Sequence, residues 1–147
     1  MSYFIRIPGV LKDLKILKLD NLLSKDKFIP EIYKYTSKEQ RLSILAGLLD
    51  TDGYVDNKGI PVFTSVSEQL AKDVTFICRS LGINCKVTMH TAGYKKEGAY
   101  IQCQNAYSVR IYTDQKLFRL ERKNKKIKLR TSKYQRSKLD RTTITNI

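Results

Sequence analysis

One run of residues constrains the fold of this chain more than any other feature: LAGLLDTDG at positions 45–53. Its apolar residues have helical spacing and cover an unusually wide side of the helix. Gly47 costs about 1 kcal/mol relative to alanine in an exposed helix, which makes sense if another backbone packs closely against it. Asp50, Asp52 and Gly53 then end the apolar pattern, and the glycine favours a turn. The run therefore predicts a closely packed helix that ends in two carboxylates.

A calcium-binding loop beginning at Asp50 is the first chemical alternative for these carboxylates, but its spacing does not fit. The glycine expected at the sixth position is Val55, and the glutamate expected at the twelfth is Pro61. A purely structural role, in which Asp50 and Asp52 only terminate a core helix, stays open from these residues alone.

Helices are predicted where a hydroxyl residue precedes Glu or Gln by three positions, since this pattern forms a capping box. Such pairs are Thr36 with Glu39, Ser37 with Gln40, and Ser65 with Glu68. A helix is predicted to start at Thr36 or Ser37 and to run to about Asp50. A second helix is predicted to start at Ser65 and to end at Gly82. An amphipathic pattern over residues 10–19 predicts a short helix near the start, and a last helix is expected from Asp114.

Alternating side chains predict four strands in two hairpins, with the first hairpin turning at residues 57–59. The predicted strands are residues 54–57, 60–65, 85–90 and 107–112. Residues 91–106 continue the alternation, which does not show where the second hairpin turns. The order is αββαββα, so we predict an α/β protein of the α+β kind with a mainly antiparallel sheet.

The chain is strongly basic. Lysine and arginine number 28 against 14 aspartates and glutamates, so the formal charge is +14 and the isoelectric point about 9.8. This charge favours a polyanionic partner, with nucleic acid first, through counterion release and electrostatic steering. A basic protein that binds RNA without chemistry, or charge kept for solubility, is the alternative. We divide the chain into a lead-in at residues 1–36, a core at 37–121 and a basic tail at 122–147.

Composition disfavours several classes of protein. Cys78, Cys85 and Cys103 are odd in number and lack close-paired spacing, so we expect reduced thiols rather than a disulfide framework or a structural zinc site. His90 alone cannot form a histidine-rich metal site or a Ser-His triad. No apolar run is long enough to span a bilayer, and residues 1–6 lack a signal-peptide pattern. We therefore expect an intracellular protein with no membrane partner.

The run at positions 45–53 resembles the motif that names the LAGLIDADG homing endonucleases, and further segments strengthen that resemblance. They are KFIP at 27–30, EQR at 39–41, Leu70-Ala71 and RSLG at 79–82. The chain is most similar, over about residues 10–125, to the second half of the endonuclease carried inside inteins. The resemblance implies an αββαββα fold with a curved antiparallel sheet, and site-specific hydrolysis of phosphodiester bonds in double-stranded DNA.

The resemblance also implies a composite active site, in which paired motif helices each deliver one aspartate to the scissile phosphates. By position this aspartate is Asp52, with the Gly53 carbonyl as a further metal ligand, whereas Asp50 is expected to hold the helix end. Two carboxylates at negative helix ends repel each other unless a divalent cation joins them. Mg²⁺ suits these hard oxygen ligands and can activate water. The family places a basic residue beyond the fourth strand; Lys123 matches best, and Lys125 competes with it.

The family's sheet lies in the major groove of DNA, where base edges carry a distinguishable code. The polar sides of the predicted strands and turn would then contact DNA, although each residue alone could be simple strand exterior. This set is Tyr54, Asp56, Lys58, Lys86, Thr88, His90, Ser108, Arg110 and Tyr112.

A single copy of the motif supplies a single catalytic carboxylate, so we expect this chain to need a partner. One solution is a homodimer through Leu45, Ala46, Gly47 and Leu49, which would prefer a palindromic or pseudo-palindromic site. The other is a separately encoded first half. Residues 141–147 resemble the strand where an intein's splicing module would resume, and we expect no protein splicing by this chain alone. The alternative function is binding without cleavage, as an RNA-splicing maturase or a DNA-binding regulator.

Overall fold

The computed structural model describes residues 9–96, 98–113 and 115–128 of the 147-residue chain. Its elements are α1 (Val10–Ile16), a 3₁₀ turn (Ser24–Asp26), α2 (Glu31–Lys34), α3 (Lys38–Asp52), β1 (Gly53–Val55), β2 (Pro61–Ser65), α4 (Glu68–Ser80), β3 (Asn84–Lys96), β4 (Ala99–Tyr112) and α5 (Glu121–Asn124). The strands form one antiparallel sheet in the order β1-β2-β4-β3. The predicted α+β fold with an antiparallel sheet is confirmed.

Helix α3, which carries the LAGLLDTDG run, is capped at its start by Ser37. The Ser37 hydroxyl accepts a hydrogen bond from the Gln40 N–H at 3.3 Å, whereas the Thr36 hydroxyl donates to a backbone carbonyl. Of the two predicted capping pairs, the structure therefore uses the second. The helix continues past its predicted end at Asp50, and β1 begins directly at Gly53. No loop separates the helix from the sheet.

Helix α4 begins two residues later than predicted. Ser67, not Ser65, is its N-cap, and the Ser67 hydroxyl accepts a hydrogen bond from the Leu70 N–H at 3.0 Å. The same hydroxyl donates to the Lys27 carbonyl at 2.6 Å, which ties α4 to the lead-in. The Ser65 hydroxyl instead accepts from the Ser67 N–H. Gly82 adopts a φ of 73° directly after the helix, so the predicted stop is confirmed.

The second hairpin is much longer than predicted, with strands of 13 and 14 residues. Its register shifts between Thr91 and Gly93, where the pairing becomes irregular. Gln104 and Asn105 are consecutive and both exposed, so neither face of β4 is buried at this point. The alternation of residues 91–106 indicated that the strands continue but did not show the turn. In the structure β3 ends at Lys96 and β4 begins at Ala99.

The last helix begins at Glu121 rather than near Asp114, where it was predicted. Only α5 is helical there, and residues 115–120 lead into it without helical structure; Asp114 lies outside the described residues. The buried Asn124 side chain fixes this segment. Its Oδ1 accepts from the Phe118 N–H at 3.1 Å, and its Nδ2 donates to the Phe118 carbonyl at 2.5 Å.

The two ends of the chain are described only in part. Helix α1 is shorter than the predicted 10–19 segment and buries none of its residues. None of the described helices has the length and apolar character needed to cross a membrane. Residues 1–8 and 129–147 lie outside the description, and with them most of the predicted basic tail and the whole of the intein-like segment at 141–147. The three-part division of the chain stays a prediction.

The core lies between α3, α4 and one face of the sheet. Its most deeply buried members are no more than 1% exposed: Leu45, Leu49, Phe63, Ala71, Val74, Ile77, Cys78, Val109 and Ile111. The free Cys78 thiol adjoins the half-buried Cys85, which also donates to the Thr75 carbonyl. The hydrogen bond between the two thiols lowers the pKa of Cys85 to about 7 and raises that of Cys78. The side chain of Cys103 lies outside the description.

A buried ion pair joins the lead-in to α4, and the sequence pattern did not reveal it. The Lys34 ammonium lies 2.7 Å from an Asp73 carboxylate oxygen, while the other oxygen accepts from the Ile29 N–H at 2.8 Å. Gln69 also donates to Asp73 at 2.8 Å. Burial disfavours the charge on Lys34, but hydrogen bonds to Asp73 and Glu31 outweigh it and raise the Lys34 pKa. This cluster positions the chain that leads into α3.

Candidate nucleic-acid interface and cleavage site

The two aspartates of the LAGLLDTDG run have different surroundings. The Asp50 carboxylate accepts hydrogen bonds from the backbone N–H groups of Arg119 and Leu120, at 3.2 and 3.3 Å. The Arg119 guanidinium also contacts the hydroxyl of Ser43 on the same helix. Asp50 therefore binds the segment that follows β4 to the end of α3. Asp52 is the last residue of the helix, and it is exposed.

Gly53 allows the helix to pass directly into the sheet. Its N–H donates to the Leu49 carbonyl, and a Cβ atom built on Gly53 would lie 2.5 Å from that oxygen. The backbone of Gly53 is extended, with a φ of −100°, so close approach rather than a positive φ requires glycine here. As a result Asp52 is held at the junction of helix and sheet.

The Lys123 ammonium lies against the end of α3, whereas Lys125 is exposed at the end of α5. It donates to the carbonyls of Leu49, Asp50 and Gly53, at 2.9, 2.8 and 2.6 Å. These carbonyls form the negative end of the helix dipole, which a lysine stabilises. Of the two predicted basic residues, Lys123 is the one that the fold brings to the end of α3.

The chemistry of this helix end fits a divalent cation. The Gly53 carbonyl accepts a hydrogen bond from the Lys123 ammonium, so its oxygen already faces a cationic group. The exposed Asp52 carboxylate is the adjacent residue, and carboxylate and carbonyl oxygens are the hard ligands that Mg²⁺ prefers. The described residues contain no group of three or more His, Cys, Asp or Glu side chains placed to hold a metal.

One face of α3, which we call its open face, carries small residues spaced four apart: Ser43, Gly47 and Thr51. Arg119 contacts Ser43 at one end of this face. A Cβ atom built on Gly47 meets no atom of a neighbouring element within 4 Å, so the described part of the chain leaves the face uncovered there. By contrast Leu45 and Leu49 are 1% and 0% exposed, and Ala46 is 9% exposed. Because Leu45 and Leu49 already fill the protomer's own core, they have no surface left for the dimer contact that we expected of them.

The face of the sheet opposite α3 and α4 is largely polar. Two rows of cross-strand partners run over it: Tyr54, Val62, Arg110 and Lys86, then Thr64, Ser108 and Thr88. Tyr112 and His90 lie on the same face of β4 and β3. Every strand residue of the predicted DNA-contact set therefore shares this face, which we call the polar sheet face.

Members of the polar sheet face differ in what they offer to a ligand. Lys86, Thr88 and His90 are exposed, and Tyr54 is 49% exposed. Ser108 is only 8% exposed, with its hydroxyl 3.1 Å from that of Thr64 on the neighbouring strand. The edge strand β3 and Tyr54 thus present more side-chain surface than the middle of the sheet.

The two predicted contact residues outside the strands occupy the β1–β2 turn. The Asp56 carboxylate accepts from the N–H groups of Lys58 and Ile60, both at 2.9 Å, and lies 3.8 Å from the Arg110 guanidinium. Asp56 therefore holds the turn, while Lys58 is exposed at its tip.

A family model described as homing endonuclease matches residues 29–137 of this chain. That range contains α3, the polar sheet face and the Lys123 segment. The chain belongs to the homing endonuclease family.

Two relatives extend this assignment. Over 98 residues the chain is 39% identical to a replicative DNA helicase DnaB of Mycobacterium intracellulare, a match that covers 67% of this chain and 16% of the helicase. Over 108 residues it is 36% identical to the homothallic switching endonuclease of Saccharomyces cerevisiae, covering 68% of this chain and 18% of that protein. The chain therefore spans less than a fifth of the length of either relative.

Sequence reasoning missed two polar residues on the polar sheet face of this member of the homing endonuclease family. Thr64 pairs with Ser108, and Asn84 pairs with Tyr112, so both lie on that face. The strict alternation within β2 would have identified Thr64 once Phe63 was assigned to the core. Asn84 lies two residues after the helix-ending Gly82 and outside the predicted strand, so only the cross-strand register places it on this face.

Proposed function

We propose that this chain is a site-specific, Mg²⁺-dependent endonuclease that cuts double-stranded DNA as a dimer of its α3 helices. The observation that carries the proposal is the exposed Asp52 at the junction of α3 and the sheet, with Lys123 bound at the same helix end. A cleavage centre placed there adjoins both the polar sheet face and the open face of α3.

Each side chain at this junction has a distinct role in the proposed reaction. Asp52 and the Gly53 carbonyl would hold Mg²⁺, which when bound activates water and stabilises the leaving oxygen. The Lys123 ammonium, 2.6 Å from the Gly53 oxygen, would offset negative charge on the phosphate under attack. Asp50 acts through position, because it fastens the backbone before α5 and hence Lys123. The basic charge and the polar sheet face would hold the duplex.

A second helix end must complete the centre, since one chain supplies one Asp52. The open face around Gly47 supports close pairing of two α3 helices, either in a homodimer or with a separately encoded first half. The helicase relative favours an origin inside inteins, because a nuclease-like stretch within a helicase is what an inserted endonuclease would produce. A homodimer would select a palindromic or pseudo-palindromic target.

The wild-type chain tests the proposal directly. We expect it to linearise plasmids from a library of randomised targets when Mg²⁺ is present, and to bind the same sequences without cutting when Mg²⁺ is replaced by EDTA. Sequencing of the cut ends identifies the target. Tight sequence-selective binding with no cleavage at any Mg²⁺ or Mn²⁺ concentration would instead favour a maturase or a DNA-binding regulator.

Gly47→Leu should separate folding from pairing. No atom lies within 4 Å of the added Cβ, so the protomer should keep its stability or gain up to about 1 kcal/mol from the better helix former. The larger side chain would push a paired helix away, and we expect both the dimer on DNA and cleavage to be lost. Light scattering with and without target DNA measures the first effect.

The matched control for this variant is Lys72→Leu, which adds the same side chain at an exposed position of α4. It should leave the oligomeric state and cleavage near wild type. A Gly47→Leu protein that still dimerises on DNA and cuts at the wild-type rate would show that α3 pairing through this face is not needed.

A further inference from the structure

Arg110 occupies the middle of the polar sheet face. Its strand, β4, has β2 on one side and β3 on the other, so Arg110 extends from an interior strand. Its partner on β2 is Val62, which is 1% exposed and brings no polar group, and its partner on β3 is the exposed Lys86. Ser108, the preceding residue on this face, is short and 8% exposed. Val62 and Ser108 therefore leave the Arg110 side chain accessible, and it is 42% exposed.

Asp56 orients this guanidinium from a fixed position. One Asp56 oxygen accepts from two turn N–H groups at 2.9 Å, and the other lies 3.8 Å from an Arg110 nitrogen. The Asp56 side chain is only 13% exposed, so it has little surface of its own for a base. At 3.8 Å the contact is an ion pair rather than a hydrogen bond, so it uses none of the N–H donors of Arg110.

The charge balance distinguishes Arg110 from the other basic residues of this face. A phosphate contact depends mainly on net positive charge, which the neighbouring carboxylate reduces. A guanine contact depends on the planar pair of N–H donors, which match the O6 and N7 acceptors in the major groove. Asp56 thus makes Arg110 less suited to a phosphate contact and leaves it suited to a guanine contact.

We propose that Arg110, oriented by Asp56, reads one guanine in the DNA target of this chain. The inference rests on the proposed function, because it assumes that the polar sheet face enters the major groove. Lys86, beside Arg110 on the edge strand, contacts the phosphate backbone instead. In a homodimer the guanine recurs at the position related by the two-fold axis.

The test is selection of randomised duplex DNA by binding in EDTA, so that cleavage plays no part. We expect the wild type to require guanine at one position of each half-site. Arg110→Gln should reduce that preference by about 5- to 150-fold and leave the other positions unchanged. Arg110→Lys, which keeps the charge, should lose most of the same preference. Asp56→Asn retains an oxygen for the turn N–H groups, and it should weaken the guanine preference while steepening the salt dependence of binding.

Lys86→Gln is the matched comparison on the neighbouring strand. It should weaken binding to all sequences alike and reduce the slope of affinity against salt by about one counterion. Retention of the wild-type base preferences by both Arg110 variants would overturn the assignment of Arg110 and leave the proposed nuclease intact. A wild-type chain that selects no DNA sequence would overturn the proposed function and this inference together.

Discussion

Asp52→Asn should lower the rate of Mg²⁺-dependent DNA cleavage by about a thousandfold or more, since metal-assisted stabilisation of the transition state contributes several kcal/mol. The substitution keeps the shape of the side chain and removes the charge that would hold the cation. Asp52 is exposed at the end of α3, so its loss should not unfold the protein. Single-turnover cleavage of the selected target, with binding followed by fluorescence anisotropy, measures both properties.

Asp50→Asn is the control, two residues away in the same helix. The two N–H groups of Arg119 and Leu120 bond to different oxygens of Asp50, and asparagine keeps only one oxygen, so one of these hydrogen bonds is lost. We expect a loss of stability and at most about a tenfold loss of rate, the equivalent of one lost hydrogen bond that positions Lys123. Equal cleavage by wild type and Asp52→Asn would remove Asp52 from the mechanism.

Asp73→Ala should give the largest loss of stability, about 3–5 kcal/mol in the free energy of unfolding. It would leave the Lys34 ammonium, in a residue 9% exposed, without its buried carboxylate, and the Ile29 N–H without its acceptor. Urea denaturation followed by circular dichroism measures the change. Should this variant fail to fold, Asp73→Asn, which keeps an acceptor for Ile29, is expected to show a smaller loss.

Two comparisons separate the cost of leaving the Lys34 charge unpaired from the other effects of replacing Asp73. Replacing both partners, as Lys34→Met with Asp73→Leu, should recover much of the loss because no uncompensated charge stays buried. Glu31→Gln should cost far less than Asp73→Ala, because the Glu31 side chain is 71% exposed. In a double-mutant cycle, the effects of Lys34→Met and Asp73→Leu on the free energy of unfolding should not be additive. Additive effects would show that the two residues are not coupled.

The same pair predicts how stability depends on pH. Because the pKa of Lys34 is raised in the folded protein, its contribution is complete below the unfolded lysine pKa. The contribution is then lost as the pH rises from that value through the raised pKa. We therefore expect the wild type to lose this stability only in alkaline solution, and the Lys34→Met, Asp73→Leu protein to lack that part of the pH dependence.

Local patterns were sufficient where a few neighbouring residues decide the structure. The glycine after α4, the helix around Gly47 and the inner alternation of β3 and β4 each depend on contacts within about one helical turn or along one strand. Local patterns failed where two residues compete for the same role, as Ser65 and Ser67 do for the N-cap position of α4. They also did not show where the second hairpin turns, because residues 91–106 continue to alternate on both sides of the turn.

The amino-acid sequence by itself determined the α+β fold, the family and the position of Asp52, because these depend on a short run and on the order of elements. Only the tertiary structure decided which lysine reaches the end of α3, since the Lys123 ammonium bonds the carbonyl of Leu49, 74 residues away. It likewise decided that Leu45 and Leu49 belong to the protomer's own core and that Gly47 faces outward. A helical pattern marks an apolar side but does not say which partner covers it, because that depends on how distant elements pack.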